Sequence, residues 1–178
     1  MPDKTGTFID QLKKMHIKNA FTLEQQVQLI SIQAGVILIQ TDLITAEKYL
    51  SEQLRPHIAT LPGLQAMLSF YMNNELLEKS LPVLNLWVKE HPDDIDALVG
   101  KGLLLSKLKE FDKATSTLEN ALNKASVSLK SNIRSQLAGV YVEKGDFETA
   151  IKHIEEALGN NRNSSKFRYQ KATIFMQM

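Results

Sequence analysis

Small residues recur along this chain at a fixed long period, and that recurrence limits the folds open to it more than any other feature. Ala46, Ser80, Ala114 and Ala150 stand 34, 34 and 36 residues apart, each three residues after a large side chain: Leu43, Leu77, Phe111 and Phe147. Twelve residues upstream runs a second ladder in the same phase: Ala34, Leu68, Gly102, Ala138 and Ala172. Three residues after each of its members stands a large one, namely Ile37, Tyr71, Leu105, Tyr141 and Phe175. A third ladder, Leu50, Leu84, Leu118 and Ile154, is followed three residues on by Gln53, Trp87, Ala121 and Ala157. A period near 34 is too long for one helix and suits a pair of short helices with their turns. Such a hairpin cannot bury its apolar face alone, so it stacks on the next copy. Where helices cross closely only Ala, Gly or Ser admits the neighbouring backbone, and bulky side chains fill the space beside the crossing.

The punctuation of the chain agrees with an all-helical reading. Its five prolines and eight glycines are few and cluster near predicted helix ends, and long Val/Ile/Thr alternation is missing. Asp93-Asp94, Asp146 and Ser164-Ser165 are predicted helix starts, and Gly159-Asn160-Asn161 a helix end. Between Ser126 and Lys130 the period runs two residues long, which predicts a longer turn or an extended first helix. Pro82 falls inside a predicted second helix, so that helix either kinks or begins late. Thr7 to Lys18, with Phe8, Ile9, Leu12 and Met15 on one face, reads as an amphipathic helix capping the array or binding a partner.

The order small, large, alanine, aliphatic and small, closed in one unit by Pro92, resembles the tetratricopeptide repeat. The best match is Leu137-Ala138-x-x-Tyr141, then Gly145-Asp146-Phe147-x-x-Ala150, then Ile154 and Ala157. The resemblance divides the chain into an N-terminal segment (1–23) and an array (24–178). The array holds units at about 27–60, 61–94, 95–128 and 131–164, and the first helix of a further unit at 165–178. It implies an all-α, right-handed superhelical solenoid of antiparallel hairpins, whose concave groove is lined mainly by the first helix of each hairpin. In phase, the groove positions are Ser31, Gly35, Leu38 and Ile39, then Gln65, Ala66, Ser69, Met72 and Asn73, then Val99, Gly100, Leu103, Ser106 and Lys107. Ser135, Gln136, Gly139, Val142 and Glu143 follow, and Tyr169, Gln170 and Thr173 extend the row. Members that grip the acidic C-terminus of a chaperone use Lys, Asn and Arg at set groove positions. In the two registers compared, this chain carries residues such as Ser31, Gly35, Ala66 and Gly100, or Gln65, Ser69, Asn132 and Gln136, so that clamp is not expected.

Chemistry is harder to find. The four histidines, His16, His57, His91 and His153, are scattered and none has metal-ligand spacing. No phosphate-cradling glycine loop or nucleophile elbow is present, and the acidic pairs Asp93-Asp94 and Glu155-Glu156 read as caps or solvated faces. Catalysis, a cofactor and a metal site are therefore not expected. Twenty-one basic residues against twenty acidic ones leave a net charge of +1, which gives no footprint for nucleic acid. The longest apolar runs fall far short of the roughly 18 residues of a spanning helix, so membrane insertion is not expected. No secretory signal is visible at Met1, which predicts a cytoplasmic protein, or an exported one if a targeting segment has been removed. There is no cysteine.

What remains is a protein or peptide partner. The leading expectation is a scaffold or adaptor; the alternatives are a chaperone-like binder of an exported or assembling protein, or a regulatory segment of a larger enzyme. The apolar segment Phe167 to Met178 reads as a capping helix, the cut edge of a longer array, or a self-associating surface.

Overall fold

The computed structural model describes residues 21–178, so the predicted amphipathic segment from Thr7 to Lys18 lies outside the described residues. Within the described residues nine α-helices follow in order: α1 (Leu23–Gln40), α2 (Leu43–Leu54), α3 (Leu61–Asn73), α4 (Leu77–Glu90), α5 (Ile95–Lys107), α6 (Phe111–Lys124), α7 (Val127–Lys144), α8 (Phe147–Asn160) and α9 (Ser165–Gln177). A short 3-10 turn at Arg55–His57 follows α2. The described residues contain no strand. The chain divides into two compact units between Val83 and Leu84.

Polar caps start the helices. Thr22 accepts a hydrogen bond from the Gln25 amide while the Gln25 side chain accepts one from the Thr22 amide, closing a reciprocal box at the head of α1. Asp42, Asp94, Asp146 and Ser164 each accept a hydrogen bond from the amide three residues on. The two-residue surplus near Ser126 lengthens α7 to 18 residues rather than forming a longer turn. Helix α4 begins at Leu77, ahead of Pro82, so the late start is corrected: the proline sits inside the helix.

Three of the hairpin turns share one backbone device. The residue at the end of the first helix takes a left-handed conformation at Glu75 (φ 58°), Lys109 (φ 63°) and Gly145 (φ 85°). The next amide in each case reaches back to close the turn: Leu76 on Tyr71, Glu110 on Leu105, and Asp146 on Tyr141, at 2.8 to 2.9 Å. Only the last uses the residue suited to that conformation.

In the first unit, α1 packs on α2 and on α3. Val27, Ile30, Ala34, Ala46, Leu50, Leu54, Ala66 and Phe70 form its buried centre. Ala46 is fully enclosed, as a close crossing requires, and the buried Gln33 side chain is satisfied by the Tyr49 hydroxyl, which donates to Gln33 Oε1. Gln53, in the third ladder, is exposed, and Leu54 beside it fills the interior instead. Ser80 is fully buried and ties its hydroxyl to the Leu76 carbonyl, so it is small enough for the crossing and leaves no orphan donor.

In the second unit, α5 packs on α6, α6 on α7, α7 on α8 and α8 on α9. Ala114, Leu118, Ala121, Ala138, Ala150, Ile154 and Ala157 are all fully buried. A Cβ at Gly102 would stand 2.6 Å from Leu118 Cγ and 3.3 Å from the Ala114 carbonyl oxygen, so α5 and α6 meet at a distance that admits only hydrogen there. Trp87 breaks the small-residue rule of its ladder, yet it is buried, and its indole N–H donates to Asp94 Oδ2 at 2.9 Å. Asp94 thus holds the tryptophan with one oxygen and caps α5 with the other. Ala172 and Phe175, in phase with the earlier first helices, are exposed. In α5 and α7 those positions lie under the second helix of the hairpin; Phe167 and Ile174 supply the buried contacts of α9 instead.

His153 of α8 stacks on Tyr141 of α7, ring centres 5.3 Å apart and ring planes nearly parallel at 12°. Burial pushes its pKa down; nearby Arg134 and Lys152 act in the same direction, against the pull of Glu156 and Glu119.

This packing sets three expectations. Glu75→Gly should raise stability by about 1 kcal/mol and Gly145→Ala should lower it by a similar amount, read as opposite shifts in the urea midpoint. Gly102→Val should cost about 1–3 kcal/mol by overpacking, whereas Gly35→Ala, whose new methyl meets nothing within 4 Å, should gain about 1 kcal/mol in the same titration. The folded pKa of His153 lies below its unfolded value of about 6.5, so its contribution is intact above that pH and is lost as pH falls through the folded value. Urea midpoints at neutral and mildly acid pH should therefore converge in His153→Phe relative to the parent.

Candidate protein-binding site

Each unit carries a cleft walled by first helices of successive hairpins. Helical spacing puts residues three and four apart on one face, and the lining residues follow that rule. In the first unit Glu24, Gln28, Ser31 and Ile32 of α1 face Pro62, Gln65, Ser69 and Asn73 of α3 across a cleft of about 430 Å³. Its polar lining is mostly amide and hydroxyl, with Ile32 about half exposed as an apolar contact.

In the second unit Leu103, Ser106 and Lys107 of α5, Ser135, Gln136, Gly139 and Glu143 of α7, and Lys166, Tyr169, Gln170 and Thr173 of α9 border a cleft of about 520 Å³. Two side-chain contacts brace its walls. The Ser106 hydroxyl donates to Glu143 Oε2 at 3.1 Å, tying α5 to α7. The Ser135 hydroxyl donates to Gln170 Oε1 at 2.6 Å while Gln170 Nε2 donates to the Ser135 carbonyl at 2.7 Å, tying α7 to α9. Gly139 leaves open floor, the nearest atom to an added Cβ being Gln170 Nε2 at 4.0 Å.

The structure brings together Ser31, Gln65, Ser69 and Asn73 in the first cleft, and Leu103, Lys107, Ser135, Gln136, Gly139 and Glu143 in the second. Ser31 and Ser135 are buried, so they shape the floor rather than offer a free hydroxyl. Gly35, Met72, Val99 and Gly100 are half-buried and border neither cleft; Gly100 lies against Leu84. Val142 packs on the cluster around Ala138 and Ile154. Among the cleft residues named above, sequence reasoning missed Glu24, Gln28, Ile32 and Pro62 in the first cleft and Lys166 in the second. Gln28, Ile32, Pro62 and Lys166 each stand three residues, about one helical turn, before a named position (Ser31, Gly35, Gln65 and Tyr169), and that spacing was the available signal.

Among the described residues, no three of His, Cys, Asp and Glu stand close enough to hold a metal ion, and no helix is long and apolar enough to cross a membrane. His153 is held by its stack on Tyr141 and faces neither cleft.

Comparison with known proteins places this architecture. Residues 132–164 match the sequence profile of the tetratricopeptide repeat. A tetratricopeptide repeat protein from Parabacteroides merdae superposes with a TM-score of 0.69 at 21% identity, over 98% of this chain and 71% of the other. A thermophilic protein of the same repeat class from Thermus thermophilus gives 0.63 at 19% identity, over 95% and 87%. A chain of the APC/C hetero-tetramer Cut9–Hcn1 gives 0.61 at 17% identity, over 83% of this chain and 30% of that one. At these identities the likeness to solved structures is one of fold: the described residues have the tetratricopeptide-repeat fold, and residues 132–164 match the repeat itself.

Proposed function

We propose that this protein is a non-catalytic scaffold or adaptor that holds a peptide or helix of a partner protein against its first helices. The observation that carries the reading is the pair of clefts, each walled by first helices and floored by small or short polar side chains. Gly139 in the second and Ser31 and Ala66 in the first allow a backbone to approach closely, which suits an extended segment or a helix laid in a groove. One of the structural likenesses was crystallised within a hetero-tetramer, and assembly with other chains is the role we carry over from it.

The side chains that line the two clefts do not converge as acid, base and nucleophile, which fits a holding role. The second cleft offers Lys107, Lys166 and Glu143, and Glu143 is already engaged by the Ser106 hydroxyl and by Lys109.

Placing a photo-crosslinking side chain at Gln136 should trap a partner from the native extract, and one at Lys152, on the exposed face of α8, should not. Gly139→Arg should then remove the captured partner without lowering the helical signal or the urea midpoint, which the lost helix-interior glycine should if anything raise. A partner that survives Gly139→Arg is bound elsewhere, and the cleft reading falls.

A further inference from the structure

Resting on the cleft reading, we infer that the second cleft takes an extended, acidic peptide segment, anchored at both ends by Lys107 and Lys166. Three observations lead there.

The first is charge. Lysines around the cleft are committed: Lys109 to Glu143, Lys144 to Asp112 and Lys171 to Glu155. Among the described residues Lys107 and Lys166 form no ion pair, and both border the cleft. The cleft's own carboxylate, on Glu143, is balanced by Lys109, so the surplus facing an occupant is positive. The second is an unmet acceptor. Gln136 lies on α7 between the two lysines, and its Oε1 finds no donor among the described residues although the atom is shielded from solvent. Such an acceptor is normally satisfied; a modest side-chain rotation would offer it to the N–H of a bound backbone. The third is the floor. Gly139 has no side chain, and Tyr169 is 77% exposed, giving an aromatic face for one apolar residue of the occupant.

The spacing sets the length. Lys166 stands in the first turn of α9 and Lys107 in the last turn of α5. Alternate helices run the same way, which separates the two by about 16 Å along the axes, at about 1.5 Å per residue. Two interhelix steps add about 18 Å across them. The diagonal of about 24 Å is covered by about seven residues of extended chain. The occupant is thus a segment with carboxylates about seven residues apart and a small or apolar centre. Residues 1–20 do not fit this description: they carry four lysines against two aspartates.

The test pans a displayed library of random peptides, about a dozen residues long, on the full chain. Parallel selections use Lys107→Glu/Lys166→Glu and Gly139→Trp, the latter filling the floor without adding charge. Acidic pairs should be enriched on the parent and basic pairs on the charge-reversed variant, and Gly139→Trp should enrich neither. For a selected acidic peptide carrying a fluorophore, anisotropy should show affinity falling about tenfold on charge reversal. The same peptide should bind the parent more weakly as salt screens the contacts. Enrichment of apolar peptides without acidic bias overturns the proposal in favour of an apolar partner helix. Affinity lost on Gly139→Trp but unmoved by charge reversal overturns the lysine assignment and leaves the cleft reading standing. Binding that survives Gly139→Trp overturns both.

Discussion

The close crossing of two helices at a small side chain is the contact on which everything else in this protein rests. Ala46, Ser80, Ala114 and Ala150 are each fully buried, and Gly102 faces Leu118 where a methyl group would not fit. Dispersion contacts at such a crossing are individually weak but numerous, because the two backbones approach without a side chain between them. The leucines, the isoleucine and the phenylalanine around each crossing then fill the remaining volume at the density of a protein interior. A hairpin built this way is thin and keeps one apolar face to spare, so it is stable only against a neighbour. The surface ion pairs between repeats, such as Lys79 with Glu47 and Lys144 with Asp112, add little by comparison, since at least one partner of each is well exposed to water.

The clefts are a by-product of the same geometry. Second helices fill the space behind each crossing, so first helices of successive hairpins lie side by side with their outer faces uncovered. Short side chains there make a hollow, and the hydroxyl and amide contacts from Ser106 and Ser135 hold its width. On the proposed reading, recognition would fall to residues that lie outside the crossings. Such a surface can change its preferences without disturbing the crossings beneath it.

Much of the fold was legible in the residues because the crossings impose small side chains at a fixed period. The cap at Asp146 was legible, and those at Asp94 and Ser164 to within one residue of a pair, because a short side chain bearing oxygen just before an apolar periodic run can satisfy a free helix amide. Other features left no such mark. The left-handed turns at Glu75 and Lys109 use residues that do not advertise that conformation, and only Gly145 does. Trp87 sits where its ladder carries alanine, and its burial is secured by Asp94, seven residues away. Ala172 and Phe175 repeat the pattern of buried positions, but burial depends on a covering helix and not on the pattern itself. In the clefts, positions on the exposed face of α3 and α7 could be read, whereas Lys166 and Ile32 lie a turn nearer the start of their helices than the named positions, and how far a cleft reaches along a helix depends on the neighbour's length and placement. Val142 is half-buried against the cluster around Ala138 and Ile154, so it does not border the cleft.

Unequal helix length has a consequence for how anything could lie along these walls. Helices α1 and α7 have 18 residues, while α3, α5 and α9 have 13. Counted from the shared crossing positions, the surplus falls almost wholly at the amino end, about one extra turn, or roughly 6 Å of height. Each trough is consequently stepped at one mouth and level at the other. A long occupant entering from the level side meets a parapet at the far end, where Val127 and Leu129 stand in water on α7. The two directions of travel along the trough are thereby made unequal before any particular side chain is recognised.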